Sequence, residues 1–141
     1  ESDLPDEFSL VEKRKGAISA GPGLRPDNDV DFRLAFRNDW LEQFGGAQQL
    51  FVVRVEGDSM VPTLQESDTV LINKNANTIG AGGGIFAINW NNMVLVKRLQ
   101  MNPQTNEIII KSDNPNYDSM VVKPHEIQIE GKVIWYGREL R

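Results

Sequence analysis

From residue 50 onward the chain is a series of short apolar runs, each cut off by a break, and this spacing most limits what it can fold into. "LFVVRVE" at 50–56, "TVLIN" at 69–73, "GIFAIN" at 84–89, "MVLVKRL" at 93–99 and "EIIIK" at 107–111 are rich in β-branched residues and too short for independent helices. The two-residue period of a strand puts Phe51, Val53 and Val55 on one face of the first run. "NWNN" at 89–92 reads as the loop that joins the third and fourth runs into a hairpin. "EIQIEGKVIWYGREL" at 126–140 reads as a final strand pair, or as one strand broken at Gly131. The expected fold class is mainly β, with strongly bent sheets.

The first third has a different texture. Residues 1–31 are polar and interrupted by Pro5, Pro22 and Pro26, so they are expected to form an extended, partly mobile linker arm ahead of a domain at 32–141. "FRLAFRNDWLEQFG" at 32–45 spaces Phe32, Phe36, Trp40 and Phe44 four apart, which predicts a short helix or helical turn with one aromatic stripe for the core. The chain starts without Met and without a secretory pattern, and it reads as a piece whose N-terminal part is missing.

Composition removes several classes of function. The absence of cysteine excludes disulfides, a thiol nucleophile and thiolate metal sites, and it fits a cytoplasmic protein. The single histidine, His125 in "KPHEI", cannot build a typical metal centre, so no metal or cofactor is expected. No apolar run is long enough to span a membrane. With 20 acidic against 15 basic side chains and a net charge of -5, these residues are poorly suited to a phosphate backbone. If the intact protein touches DNA, the missing N-terminal part is expected to do it.

Two places carry chemistry. "RVEGDSMVPTL" at 54–64 leaves a strand, turns at Gly57 and Asp58, and presents Ser59 ahead of Met-Val-Pro. Gly, Asp and Ser also populate ordinary turns, and the tetrapeptide alone does not separate the two readings. The second place is Lys97. Alternation along "MVLVKRL" sets Met93, Leu95, Lys97 and Leu99 on one face, and Val94, Val96 and Arg98 on the other. A lysine on an apolar face either snorkels its ammonium to water or is desolvated. Desolvation lowers its pKa and makes it a general base able to activate a serine hydroxyl.

Taken together, "VEGDSMVPTLQESDTVLI" and the later "VLVKRL" resemble the self-cleaving domain of LexA, lambda-type phage repressors and UmuD, whose dyad is related to that of signal peptidases. "SDNPNYDSMVV" and "IEGKVIWYGREL" resemble phage-repressor C-terminal domains, and the likeness spans about residues 17–140. A signal peptidase acting on secreted proteins is set aside for want of a membrane span.

The resemblance implies bent sheets of the LexA C-terminal type, with Ser59 as nucleophile and Lys97 as base. It also implies an oxyanion site from the backbone N–H groups of Asp58 and Ser59, and a scissile bond within the chain. "AISAGPGL" offers Ala20-Gly21 for that bond, and small residues there let the backbone lie flat in a narrow cleft. The implied role is the self-cleaving, self-associating part of a transcriptional repressor, most simply a dimer, with a RecA filament as co-activator. The alternative is a dimerisation module that does not cleave and is released by an antirepressor protein. Pro22 favours the alternative, because it removes an N–H next to Gly21 and restricts that glycine.

Overall fold

In a computed structural model of the chain, residues 6–13 and 33–140 are described. They form nine strands. β1 (Phe8–Glu12) and β2 (Arg33–Arg37) make a two-stranded sheet. β3 (Leu50–Arg54), β4 (Thr69–Asn73), β5 (Gly84–Trp90), β6 (Met93–Asn102), β7 (Glu107–Lys111), β8 (Met120–Val122) and β9 (Gln128–Gly137) make a seven-stranded sheet in the order β3-β4-β9-β5-β6-β7-β8. All neighbours in both sheets run antiparallel. The fold is mainly β.

β9 is one strand rather than a pair. Its first half pairs with β5 and its second half with β4, and each pairing contains a register shift. Such a shift leaves an extra residue on one strand and increases its local bend and twist. Gly131 lies at the change of partner. A Cβ there would sit 2.4 Å from the Asn73 carbonyl oxygen, so the backbones approach too closely for any side chain.

β3 is buried on both faces, which explains why "LFVV" is apolar throughout instead of alternating. Phe51 and Val53 join one core cluster with Met60, Leu64 and Ile72. Leu50 and Val52 join a second with Val11, Leu41 and Leu71, and the β1–β2 layer covers that face. A third cluster, around Phe86, Ile88, Leu99 and Ile110, lies under β5–β7. The β5–β6 hairpin turns at Asn91 and Asn92, both with positive φ, as a tight Asn-rich turn permits.

Two expectations are corrected. Residues 8–12 are not an unpacked arm: β1 pairs with β2 over five residues, and Val11 is fully buried. The stretch 32–45 is not a single helical element either. Arg33–Arg37 is a strand whose alternate residues face the core, and only Asn38–Leu41 (α1) is α-helical, followed by a 3-10 turn at Glu42–Phe44. The helical spacing of the aromatics is met across the strand–helix junction. Phe36 stacks on Trp40 at 5.3 Å, and Trp40 meets Phe44 edge-on at 5.0 Å.

The segment after β9 is held by a buried ion pair. Arg138 donates two hydrogen bonds to Asp68, at 2.7 and 2.8 Å, and Asp68 is fully buried. Asp68 also accepts from the Gln65 N–H at 2.9 Å. The Arg138 guanidinium holds the Asp68 carboxyl below its usual range. Because the folded pKa is depressed, this contribution is present above the ordinary carboxylate pKa and is lost as pH falls through the folded one. Asp68→Asn is therefore expected to lower the melting temperature by several degrees near neutral pH, and by much less in acid. Calorimetry at both conditions checks this, and equal losses at both would refute it.

Candidate functional site

Ser59 lies in the irregular segment between β3 and β4. The chain leaves β3, turns at Gly57 with φ of 81°, and is closed by hydrogen bonds from Val61 N–H to the Asp58 carbonyl and from Leu64 N–H to the Met60 carbonyl. Met60 and Leu64 are buried in the cluster beneath β3, so the residue after the serine is a core anchor. That anchoring answers why Met follows the serine. It fixes the turn and leaves Ser59 Oγ positioned by backbone geometry.

Lys97 is on β6, opposite Phe86 of β5. Its Nζ donates to Ser59 Oγ at 3.0 Å and to Ser112 Oγ at 2.9 Å. The structure thus brings together two residues 38 apart in sequence. Burial pushes the Lys97 amine below the ordinary lysine range. The Tyr117 ring lies over the amine, 5.7 Å from Nζ to its centroid.

Ser112 was not singled out from the sequence, where "SDNPNYDS" reads only as turn-rich. The signal was in the strand register. β6 and β7 pair antiparallel with Arg98 opposite Lys111, which sets Ser112 one step further along, level with Lys97. Predicting it requires knowing that 93–102 and 107–111 form one hairpin in that register.

The loop beginning at Ser112 is fastened to the serine turn. Asn114 donates its backbone N–H to the Ser59 carbonyl and its Nδ2 to the Asp58 carbonyl, both at 3.0 Å. Tyr117 donates its hydroxyl to the Asp58 carboxylate. Asp113 takes two hydrogen bonds from Arg98, at 2.7 and 2.9 Å, and a third from Thr63 Oγ1. Because a trans peptide sets its N–H opposite its C=O, the Ser59 N–H points away from Asn114. Arg98, on the face of β6 opposite Lys97, is half exposed and spans from β6 to this loop.

Chemically, this is a hydroxyl within proton-transfer range of a desolvated amine, with a second hydroxyl to orient the amine. The reach required of a general base is about 2.6–3.2 Å, and the pair meets it. Such a pair is the minimum needed to make a serine nucleophilic. Among the described residues there is no group of three or more His, Asp or Glu placed to hold a metal ion. Nor is any described helix long and apolar enough to cross a membrane. Ala20 and Gly21 lie outside the described residues, as do Pro22 and Phe32.

A mainly β scaffold that sets a serine hydroxyl against a desolvated strand lysine is the arrangement of a peptidase-type domain. The chain belongs to the peptidase S24-like family, whose model matches residues 13–134. It is 28% identical over 139 residues to the repressor protein CI of Enterobacteria phage phi80, covering 95% of this chain and 58% of that protein. It is 32% identical over 127 residues to the 26 kDa repressor protein of Escherichia phage HK022, covering 86% and 53%. It is 28% identical over 120 residues to the LexA repressor of Pelagibacter ubique, covering 84% and 50%. The chain thus spans about half the length of these relatives.

Proposed function

We propose that this chain is the self-cleaving and self-associating portion of a transcriptional repressor, and that it cuts its own backbone between Ala20 and Gly21. The observation that carries the reading is the 3.0 Å contact between Lys97 Nζ and Ser59 Oγ, made by an amine that burial drives toward its neutral form. Neutral Lys97 takes the Ser59 hydroxyl proton as Oγ attacks the Ala20 carbonyl carbon. The backbone N–H groups of Asp58 and Ser59 hold the oxyanion. As the C–N bond breaks, protonated Lys97 gives its proton to the departing Gly21 amine. Water then hydrolyses the ester on Ser59, with Lys97 again as base. Substrate and dyad share one chain, so the reaction is unimolecular and occurs once per molecule.

Incubating the purified chain at alkaline pH and weighing it tests the reading. Masses of residues 1–20 and 21–141 are expected, and an uncut chain at every pH counts against it.

The regulating event is docking of residues around 20–21 at the dyad, favoured by a RecA–nucleoprotein filament. Operator binding belongs to sequence ahead of residue 1, and the protein works in the cytoplasm. Pro22 supports a second reading, a dimerisation module that does not cleave and is released by an antirepressor protein.

Self-association is common to both readings, because two DNA-binding heads held together bind an operator more tightly than one. In "KVIWYG", Val133, Ile134 and Trp135 pack against the core clusters, which leaves the exposed Tyr136 as the residue offered to a partner. Sedimentation at high micromolar concentration is expected to give a dimer, and Tyr136→Ser is expected to weaken it. A monomer under those conditions would exclude this proposal.

A further inference from the structure

We infer that β1 is a non-covalent clasp, so that cutting the chain between Lys13 and Arg33 leaves the N-terminal piece bound and makes its release a separate step. The inference takes its biological setting from the proposed cut at Ala20-Gly21, but the clasp itself does not depend on self-cleavage.

The contacts of β1 lie on the far side of any such cut. It pairs with β2 from Phe8 opposite Arg37 to Glu12 opposite Arg33. Val11, 1% exposed, packs with Leu41, Leu50, Val52 and Leu71. Asn38 fastens the start of the strand: its backbone N–H donates to the Glu7 carbonyl at 2.7 Å, its Nδ2 donates to the Asp6 carbonyl at 2.8 Å, and its Oδ1 accepts from Ser9 Oγ. Lys13 adds a bridge to Val52 at the other end. Strand pairing, a buried apolar side chain and a polar latch together make a strand-addition site of the kind that binds extended peptides.

A cut removes the covalent link but none of these contacts. What it removes is effective concentration, which a short linker holds in the millimolar range. Nothing in the clasp senses the cut. Whatever precedes β1 therefore stays on the domain until β1 itself leaves, and the release rate is set by β1 and β2 rather than by the dyad.

The test uses the full chain carrying Ser59→Ala, so that the dyad plays no part, with a site-specific protease sequence inserted between residues 20 and 21. After complete cutting, confirmed by denaturing mass spectrometry, native mass spectrometry and gel filtration are expected to find both pieces together. Asn38→Ala, which loses the two side-chain hydrogen bonds of the latch, is expected to release the piece about tenfold faster. Val11→Asp, with its uncut fold checked by circular dichroism, is expected to lose it at once. Should the cut parent release its piece as fast as Asn38→Ala does, or as completely as Val11→Asp, the clasp is refuted. Cleavage failing in the unmodified chain would refute the proposed activity and leave this result unaffected.

Discussion

Ser59→Ala is expected to abolish cleavage at Ala20-Gly21 and to leave the domain folded. The hydroxyl is the only atom lost, and the turn is held by other groups: the buried Met60 and Leu64 side chains and the Asn114 hydrogen bonds to the Asp58 and Ser59 carbonyls. Lys97→Ala is expected to abolish cleavage as well. Lys97→Arg is not expected to rescue it, because a guanidinium stays protonated across the accessible range and cannot act as base. Ser112→Ala removes one hydrogen bond from the amine at 2.9 Å and leaves both reacting groups in place. A net hydrogen bond of about 1 kcal/mol corresponds to a loss of roughly fivefold in rate, so this variant should be slow rather than dead. Mass spectrometry over a time course separates the slow variant from the dead ones. Cleavage that survives Ser59→Ala would identify a contaminating protease and end the dyad reading.

The parts of this architecture legible in the sequence are those set by local pattern. Short β-branched runs bounded by breaks mark what becomes β3 to β7, and the Asn-rich break marks the β5–β6 turn. The serine turn and the apolar face carrying Lys97 are each visible alone, and family resemblance joins them. What stayed hidden depends on partners distant in the chain. β1 sits in a polar, proline-interrupted stretch, and its only strong apolar signals are Phe8, Leu10 and Val11. It becomes a strand because β2 and the Leu41–Val52 cluster receive it. β2 was concealed for a related reason. Phe36 obeys a helical spacing with Trp40 and Phe44 and a strand alternation with Leu34, and tertiary pairing with β1 decides between them. Ser112, Asn114 and Tyr117 reach the serine turn through the β6–β7 register and the loop after it, and no local pattern encodes that register. The single course of β9 follows from the same kind of cause. Gly131 reads as a break in one dimension, and in the sheet it is where the strand changes partners.

The rate of self-cleavage is expected to rise about tenfold per pH unit and then level off, with the plateau beginning below the ordinary lysine pKa of about 10.4. The slope follows because only neutral Lys97 can accept the serine proton, and its neutral fraction grows tenfold per unit below the pKa. The early plateau follows because burial disfavours the ammonium and holds the Lys97 amine below the ordinary lysine range. The same shift fixes the sign of a stability effect. Between the lowered folded pKa and the ordinary unfolded one, the unfolded chain binds more protons at this site than the folded chain does. Stability therefore rises with pH through that window, and the penalty of a buried charge is greatest below it. A titration of Lys97 by competitive acetylation, with the modified peptide read by mass spectrometry, gives the pKa independently of any cleavage. The midpoint of that titration should coincide with the bend in the rate profile. If the rate levels off while Lys97 is still protonated, a step other than proton transfer limits the reaction, and docking of the Ala20-Gly21 segment is then the slow event. If the rate shows no dependence on pH at all, Lys97 is not the base.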